Sequence, residues 1–367
     1  MSQFDVAIIG TSPACIFEMA SRKALGEKTL IIDRNRDIGG SWGTMDHPIL
    51  GIVESGAHYL PPINGVYELF RDFLGISLDP VYAPKYFMPR YVFGRNHTSW
   101  LNRWGGGVSN FDPDFPKTVR SWRNRVSPYY RMILEAIGRT GPKRVPMKYF
   151  HMGTIGLVEY LAKFVEKHGL EMMMETSVKK IEIDTSSGIV RITTDQDTVD
   201  AKKFILTSCA VLDSVYLDGI EHSVSPRLNP LVQLHLTFKG PPIDALSFGQ
   251  YTISDCLKLT GNATPFLGQD LIEQGYSLIT NLVDKNLPET EQSVEMVIAE
   301  HRKHGVLDKR HEFVDAIWHR YEVCQRQDDE LLEIKTALAP YIDVLPTHSF
   351  GASMSDNAAR WRKSLDG

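Results

Sequence analysis

The sequence predicts an α/β protein built around parallel strands, and its first residues carry the observations that predict it. Residues 6–9 form a short apolar run with β-branched members, which is typical of a buried parallel strand. Gly10 ends this run, and a helical pattern follows with four apolar positions, Ile16, Phe17, Met19 and Ala20. A second apolar strand, Thr29–Ile32, ends directly before Asp33.

The order strand, tight turn, helix, strand and acid is that of a dinucleotide-binding Rossmann unit. In such a unit the N-terminus of the helix receives a pyrophosphate, and the acid accepts hydrogen bonds from ribose hydroxyls. The glycine fingerprint is incomplete, because Ser12 and Cys15 stand where further glycines are expected. Both side chains are small, so we still expect the unit to bind its cofactor. The expected contact residues are Gly10, Ser12, Pro13, Ala14 and Asp33.

Composition and charge argue against several classes of protein. Of the 367 residues, 43% are apolar and 23% are charged, so the chain can bury two domains or one large discontinuous domain. The net charge of −5 and the lack of an extended basic run argue against a nucleic-acid partner. No apolar stretch approaches the ~18 residues of a membrane span, so we expect no transmembrane segment. Because the first predicted strand begins almost at once, we expect no signal peptide.

The cysteines are scattered along the chain at Cys15, Cys209, Cys256 and Cys324. They form neither a metal-spaced pair nor a disulfide framework. We therefore expect reduced thiols in a cytoplasmic protein that has no metal site. The expected partner is a small-molecule substrate. Whether it forms a homodimer is left open.

The segment after Asp33 resembles a known family. An acid that ends the second strand, then a basic residue and a Gly-Gly pair, is similar to the FAD-binding segment of the flavin amine oxidase, protoporphyrinogen oxidase and UDP-galactopyranose mutase superfamily. The resemblance implies that Arg34 lies near the pyrophosphate and that Gly39 and Gly40 let the backbone pass close to the cofactor. Ser41 and Trp42 continue this contact segment. An ordinary glycine loop is the alternative.

Gly56, Ala57 and His58 resemble the segment that passes beside the isoalloxazine ring in this superfamily. Gly and Ala suit that place because a flat ring needs close approach of the backbone. His58 is expected near the flavin, where an imidazole can donate a hydrogen bond or act on substrate. A histidine whose hydrogen bonds are satisfied by backbone in a turn is the alternative.

A second part of the resemblance begins at Gly153 and Gly156, which start an amphipathic helix that Gly169 ends. Strands are predicted after it. The resemblance implies that the backbone of Val178 holds the adenine. It also implies that residues 204–208, ending at Ser208, close over the nucleotide.

The last segment, with Gly351, Ser353 and Met354, stands where the superfamily has its final FAD motif. The Gly-Asp or Gly-Arg that usually follows the strand is absent, and Thr347 and His348 lie in its neighbourhood. We expect Ser355 or Asp356 to cap a helix over residues 358–364.

The remaining segments are expected to form a substrate domain. Residues 231–238 alternate as a half-buried antiparallel strand, residues 277–282 as a further strand, and residues 292–304 form a helix. Residues 318–321 are expected at the end of a strand, where Arg320 can pair with a phosphate and Tyr321 can line the site. A rim strand with alternating side chains is the alternative. The candidate catalytic residues are therefore His58, Arg320 and Tyr321.

Taken together, the resemblance implies a glutathione-reductase-like FAD-binding Rossmann domain with an inserted mixed antiparallel-sheet substrate domain. The predicted FAD domain is discontinuous and consists of residues 1–60, 148–217 and 326–367, and the substrate domain of residues 61–147 and 218–325. The expected activity is that of an FAD-dependent oxidoreductase that takes a hydride from an amine or another small C–H donor. The alternatives are a mutase acting on a sugar nucleotide and a non-catalytic flavin-binding or flavin-free protein.

Overall fold

The structure is a computed structural model, and its described residues are 3–55, 70–71, 74–81, 147–150, 153–241, 243, 250–251, 256–264, 267–303, 306–326, 328–345 and 350–365. The strands in these ranges are β1 (Gln3–Ile9), β2 (Thr29–Ile32), β3 (Thr44–His47), β4 (Gly51–Glu54), β5 (Leu78–Val81), β6 (Met147–Phe150), β7 (Glu171–Met173), β8 (Val178–Asp184), β9 (Ile189–Thr194), β10 (Thr198–Thr207), β11 (Ser214–Leu217), β12 (Ile220–Ser223), β13 (Arg227–Lys239), β14 (Gln250–Tyr251), β15 (Leu257–Asn262), β16 (Tyr276–Val283), β17 (Glu312–Gln325) and β18 (Ile342–Leu345). The helices are α1 (Pro13–Ala24), α2 (Gly153–His168), α3 (Gln269–Glu273), α4 (Glu291–Lys303), α5 (Asp328–Leu338) and α6 (Phe350–Leu365). A 3-10 turn spans Gly40–Trp42.

The first sheet contains nine of these strands and mixes parallel with antiparallel pairs. Its order is β12-β11-β8-β9-β10-β1-β2-β7, and β18 also pairs with β10. The strands β18, β10, β1, β2 and β7 run parallel, so their carboxyl ends meet at one edge. Gly10, Asp33 and Ser208 directly follow β1, β2 and β10, and they therefore come together at that edge.

Helices cover both faces of the parallel strands. On one face, Ile8, Ile31 and Ile205 share a buried cluster with Phe17 of α1 and Trp361 of α6. On the other face, a second cluster joins apolar strand residues to α5, and its members include Ala7, Leu30, Phe204, Leu206, Leu331 and Leu338. Because both faces are covered, the segments 6–9, 29–32 and 204–207 of β1, β2 and β10 are mainly apolar, and the sequence predicts these segments as buried. The α/β class is confirmed.

A buried carboxyl group fixes the last helix to the first one. Glu18 of α1 accepts hydrogen bonds at Oε2 from Nε1 of Trp361 (2.9 Å) and from Arg360, and at Oε1 from Nε of Arg22 (2.8 Å). Burial alone would raise the pKa of Glu18, but the hydrogen bonds from Arg360 and Trp361 outweigh burial and lower that pKa. The helix α6 begins at Phe350, so the expected cap at Ser355 or Asp356 and the expected start at residue 358 are wrong.

The second sheet has the order β14-β15-β16-β13-β17, and its neighbouring strands are antiparallel. One face packs against α4, and its buried contact residues include Val232, Leu234, Leu236, Val294 and Val297. The hairpin β3–β4 lies on the opposite face, where Leu50 and Val53 join a cluster with Ala263 and Leu278. Residues 318–321 lie within β17, because its ladder with β13 continues to Gln325. The expectation that they end a strand is wrong.

Candidate nucleotide site

The turn after β1 depends on Gly10. Its φ is +108°, a conformation that L side chains rarely adopt. The N–H of Gly10 donates to the carbonyl of Ile32 (2.9 Å), which ties the turn to the end of β2. A Cβ at Gly10 would lie 3.7 Å from Sγ of Cys15, so the Cys15 side chain packs directly against this turn. Cys15, which stands where the third glycine of the fingerprint is expected, therefore fits without widening the turn.

Ser12 caps the helix that points at the turn. Its Oγ accepts a hydrogen bond from the N–H of Cys15 (3.5 Å), and Pro13 fills the first helical position. The first turn of α1 carries no acidic residue, so its dipole is suited to an anion. Burial raises the pKa of the Cys15 thiol to about 12, and this thiol adds no negative charge beside the helix end at neutral pH.

Asp33 is held in place by three backbone or hydroxyl groups. Thr11 Oγ1 donates to Oδ2 (2.5 Å), Asn35 N–H donates to Oδ1 (2.9 Å), and the N–H of Asp33 donates to the carbonyl of Met173 (2.9 Å). The side chain is only 4% exposed. Each carboxyl oxygen can accept a further hydrogen bond, so the group remains able to bind a ribose hydroxyl.

The Gly39-Gly40 segment lies against the same turn. The N–H of Gly39 donates to the carbonyl of Thr11 (3.2 Å), and Gly40 has a φ of +61°. A Cβ at Gly40 would lie 3.4 Å from the nitrogen of Ser12. Thr11 therefore connects Asp33 to the glycine pair, and a bare backbone faces the N-terminus of α1. This cradle, which a Cβ at Gly40 would fill, fits a pyrophosphate.

Arg34, Ser41 and Trp42, which are also expected to contact the cofactor, lie next to Asp33 and the glycine pair in the sequence. The side chain of Arg34 is exposed, beside the buried Asp33. Trp42 is buried in the cluster that contains Phe17 and Leu157, and its backbone N–H donates to the carbonyl of Gly39 (3.1 Å). Ser41 lies in the 3-10 turn with them. Trp42 thus packs the glycine segment onto α1 and α2.

The strand that begins with Val178 is tied to Asp33 through the preceding loop. Thr176 N–H donates to the carbonyl of Asp33 (2.9 Å), and Glu175 N–H donates to the carbonyl of Asn35 (3.1 Å). Val178 pairs with Thr194 and packs against the cluster of the second face. The loop before Val178 is therefore bound to Asp33, and the contact of Val178 with the adenine stays a prediction.

Arg326 is a residue of this site that the sequence reasoning missed. It is 1% exposed, and its guanidinium donates to four backbone carbonyls, those of Thr207, Ala210, Leu212 and Val224. Its own N–H donates to the carbonyl of Ser208 (2.9 Å), and Ser208 is fully buried. The loop after β10 is therefore shaped around one buried arginine.

Glu54 was missed as well. Its Oε1 accepts a hydrogen bond from the N–H of Thr154 (2.7 Å) at the N-terminus of α2, and its side chain is buried. A carboxylate suits this end of a helix. Glu54 thus fixes the end of the β3–β4 hairpin to α2, shortly before the segment that the sequence assigns to the flavin.

The other predicted site residues lie in other elements or outside the described residues. Gly56, Ala57 and His58 lie outside the described residues. Gly351, Ser353 and Met354 belong to the first turns of α6. Arg320 pairs with Glu289 and donates to the carbonyls of Lys285 (3.3 Å) and Leu287 (3.4 Å), while Tyr321 lies opposite Leu231 in the second sheet. The guanidinium of Arg320 is thus engaged by the loop after β16.

No known family profile matches the sequence, and no curated protein matches it. Solved structures do match over nearly the whole length of both chains. A provisionally named protoporphyrinogen oxidase from Exiguobacterium sp. 255-15 is 12% identical with a TM-score of 0.61, and 100% of this chain and 98% of that chain are covered. Putrescine oxidase bound to putrescine is 15% identical with a TM-score of 0.61, with coverage of 100% and 99%.

Cyclohexylamine oxidase from Brevibacterium oxydans IH-35A is 14% identical with a TM-score of 0.62, and 100% of this chain and 98% of that chain are covered. No helix in the described ranges is both long and apolar enough to cross a membrane. The resemblance predicted from the sequence is thus confirmed at the level of the fold: the chain has the fold of these amine and protoporphyrinogen oxidases.

Proposed function

We propose that the chain is an FAD-dependent oxidoreductase that oxidises a small amine. The observation that carries this proposal is the convergence of Gly10, Asp33 and Gly40 on the N-terminus of α1 through Thr11. It occurs in a chain with the fold of putrescine oxidase and cyclohexylamine oxidase. A bare backbone, a helix N-terminus and a hydrogen-bonding acid are what a dinucleotide requires.

Each part of the site has a role in holding FAD. The N-terminus of α1 and the backbone of Gly40 would hold the pyrophosphate, with Arg34 near it, and Asp33 would accept hydrogen bonds from the ribose. Val178 and Ser208 would contact the nucleotide, and the flavin would lie near residues 56–58 and the start of α6. Bound FAD would accept a hydride from a substrate C–H bond, so that a C=N bond forms and an N–H proton is released.

The domain division belongs to this proposal. Residues 1–60, 148–217 and 326–367 would bind the cofactor, and residues 61–147 and 218–325 would bind the substrate. The first sheet with its helices, and the second sheet with α4, support this division. The hairpin β3–β4 and Arg326 would join the two units.

The sugar-nucleotide mutase has less support. Such an enzyme needs cations for the diphosphate of its substrate, and the arginine that the sequence singles out for this role is engaged by Glu289. The solved structures described above are oxidases.

The absorbance spectrum of the purified protein tests the proposal. We expect the bands of an oxidised flavin and the release of FAD on denaturation. Bleaching of these bands under anaerobic conditions by a primary amine, and not by UDP-galactose, would support amine oxidation. A protein that stays colourless after incubation with FAD would contradict the proposal and leave a flavin-free protein.

A further inference from the structure

One face of the second sheet carries a row of buried polar side chains. Gln233, His235 and Thr237 alternate along β13 on the face opposite the one that packs on α4. Gln233 lies directly opposite His319 of β17, and His235 lies directly opposite Thr280 of β16. The rings of His235 and His319 are 6.4 Å apart between centroids, so both lie on this face.

His235 has a hydrogen-bonding atom that no described residue satisfies. Its side chain is 0% exposed, and its Nδ1 lies 3.1 Å from Oγ1 of Thr280. Its Nε2 is buried and has no hydrogen-bond partner within the described part of the chain. A buried polar atom without a partner lowers the stability of the fold, and an apolar side chain of similar size would avoid this loss. Nε2 of His235 is therefore a candidate contact for a ligand.

The row lies between two connections to the first sheet. At one end, Nδ1 of His47 accepts hydrogen bonds from the N–H groups of Ile49 (3.1 Å) and Leu50 (3.2 Å), so its Nε2 carries the proton and donates to Oγ1 of Thr237 (2.8 Å). His47 belongs to the hairpin that follows the Gly39-Gly40 segment. At the other end, Arg326 follows β17 and binds the carbonyl of Ser208 beside the candidate nucleotide site.

The described side chains next to His235 on this face, those of Gln233, Thr237, Thr280, Ile317 and His319, are uncharged. Burial, followed by the nearby His319 and His47, lowers the pKa of His235 to about 3, and burial also lowers the pKa of His319. Arg320 lies on the opposite face with Glu289. Two described carboxylates lie on this face towards the hairpin end, Asp315 opposite Thr237 and Glu312 opposite Lys239. The stretch around His235 therefore offers amide, hydroxyl and neutral imidazole groups.

We infer that the stretch of this face around His235 is a wall of the substrate site, and that Nε2 of His235 forms a hydrogen bond with the amino group of an uncharged primary amine. An ammonium ion would need a carboxylate beside it, whereas a neutral amine is satisfied by neutral partners. This inference rests on the proposed function and adds to it the residue that binds the reacting group.

Anaerobic mixing of the FAD-loaded protein with putrescine, cyclohexylamine and benzylamine tests the inference, and the dependence of the rate of flavin bleaching on amine concentration gives the Kd of each amine. His235→Phe keeps a ring of similar size without its nitrogens, and we expect it to retain FAD and to raise the Kd for the amines about tenfold. His235→Gln restores a hydrogen-bonding group, so its Kd should return toward that of the wild type. His301→Gln is the matched control, because His301 is buried on the opposite face against Asn281 and should leave the Kd unchanged.

Equal amine Kd values for His235→Phe and the wild type would overturn the inference, and so would the absence of any spectral change with the three amines in an FAD-loaded wild type. If His235→Phe does not fold, nitrogen NMR of labelled histidine in the wild type decides instead. Addition of amine must then shift the Nε2 resonance of His235, and an unchanged resonance would overturn the inference. Failure of the proposed function is distinguishable, because the wild type would then bind no FAD.

Discussion

The hydroxyl of Thr11 donates a hydrogen bond to Oδ2 of Asp33 across 2.5 Å, and both side chains are buried. Thr11 also binds the N–H of Gly39, through its carbonyl at 3.2 Å and through its hydroxyl at 3.3 Å. One short side chain thus joins the turn after β1, the acid after β2 and the glycine pair. The three parts of the candidate nucleotide site are held together before any ligand binds, and such pre-organisation favours binding.

Thr11→Val tests the hydroxyl directly. The change leaves the size of the side chain nearly constant and removes a donor from a buried carboxyl, so we expect the free energy of unfolding to fall by about 1–3 kcal/mol. Urea unfolding of the apoprotein measures it. Thr29→Val is the matched control, because Thr29 is buried in β2 and its Oγ1 has no partner within the described residues. A loss for Thr11→Val no larger than that for Thr29→Val would show that the hydroxyl contributes no stability.

Asp33→Ala tests the acid as a ligand of the ribose. Loss of one or two hydrogen bonds to the cofactor should raise the Kd for FAD about tenfold, while thermal unfolding of the apoprotein stays cooperative. Fluorescence titration with FAD gives the Kd. Asp200→Ala is a suitable comparison, since Asp200 is a buried acid of β10 whose partner is Arg191 (3.1 Å). Full FAD occupancy in Asp33→Ala would remove Asp33 from the proposed site.

Gly40→Ala tests the close approach between the glycine pair and α1. An alanine at a φ of +61° is strained by about 1 kcal/mol, and its Cβ would meet the nitrogen of Ser12 at 3.4 Å. Gly188→Ala has the same backbone strain, with a φ of +66°, and nothing within 4 Å of its Cβ. We expect similar stability losses in the two variants and weaker FAD binding only in Gly40→Ala. Equal FAD affinity in the two variants would mean that the cofactor does not approach Gly40.

The sequence predicted the parts of the fold that depend on local pattern. Residues 29–32 are predicted as β2 because three of the four are apolar, as expected of a strand that is buried on both faces. The start of α6 was missed because Gly351 and Ser353 are weak helix formers. Long-range packing outweighs that local preference, since Trp361 binds Glu18 and Ser364 Oγ lies 2.5 Å from Ser21 Oγ.

Sequence patterns do not predict the role of a side chain when that role depends on backbone groups far away in the chain. Arg320 is a candidate because a guanidinium can pair with a phosphate. Alternation along β17 places it on the opposite face from His319. The sequence alone does not say which of these two faces lies towards the first sheet. The partners of Arg326 are carbonyl groups far away in the chain, and carbonyl groups leave no residue signature. By contrast, Gly39 and Gly40 stand out in the sequence because the positive φ that each adopts restricts the residue type, and their contact with the cofactor stays a prediction.

Arg326→Met should be strongly destabilising. The substitution keeps much of the side-chain volume but leaves four buried carbonyls without their donor, and we expect a loss of about 3–5 kcal/mol in the free energy of unfolding. Arg227→Met, which removes an exposed pair with Glu330, should change it by less than about 1 kcal/mol. Guanidinium unfolding compares the two variants. Similar small losses would show that the loop after β10 holds its shape without Arg326.

The contribution of Glu18 should depend on pH. Its pKa in the folded protein is lowered from 4.5, because the hydrogen bonds from Arg360 and Trp361 outweigh burial. The folded state therefore binds this proton less readily than the unfolded state, so the stabilisation is present above pH 4.5 and is lost as the pH falls through the folded value. We expect Glu18→Gln to be less stable than the wild type at pH 7, and the difference to shrink in acid. Urea unfolding at a series of pH values measures it, with Glu159→Gln on an exposed position of α2 as the control. A difference between Glu18→Gln and the wild type that stays constant from pH 7 into acid would mean that the carboxyl of Glu18 does not carry the link between α1 and α6.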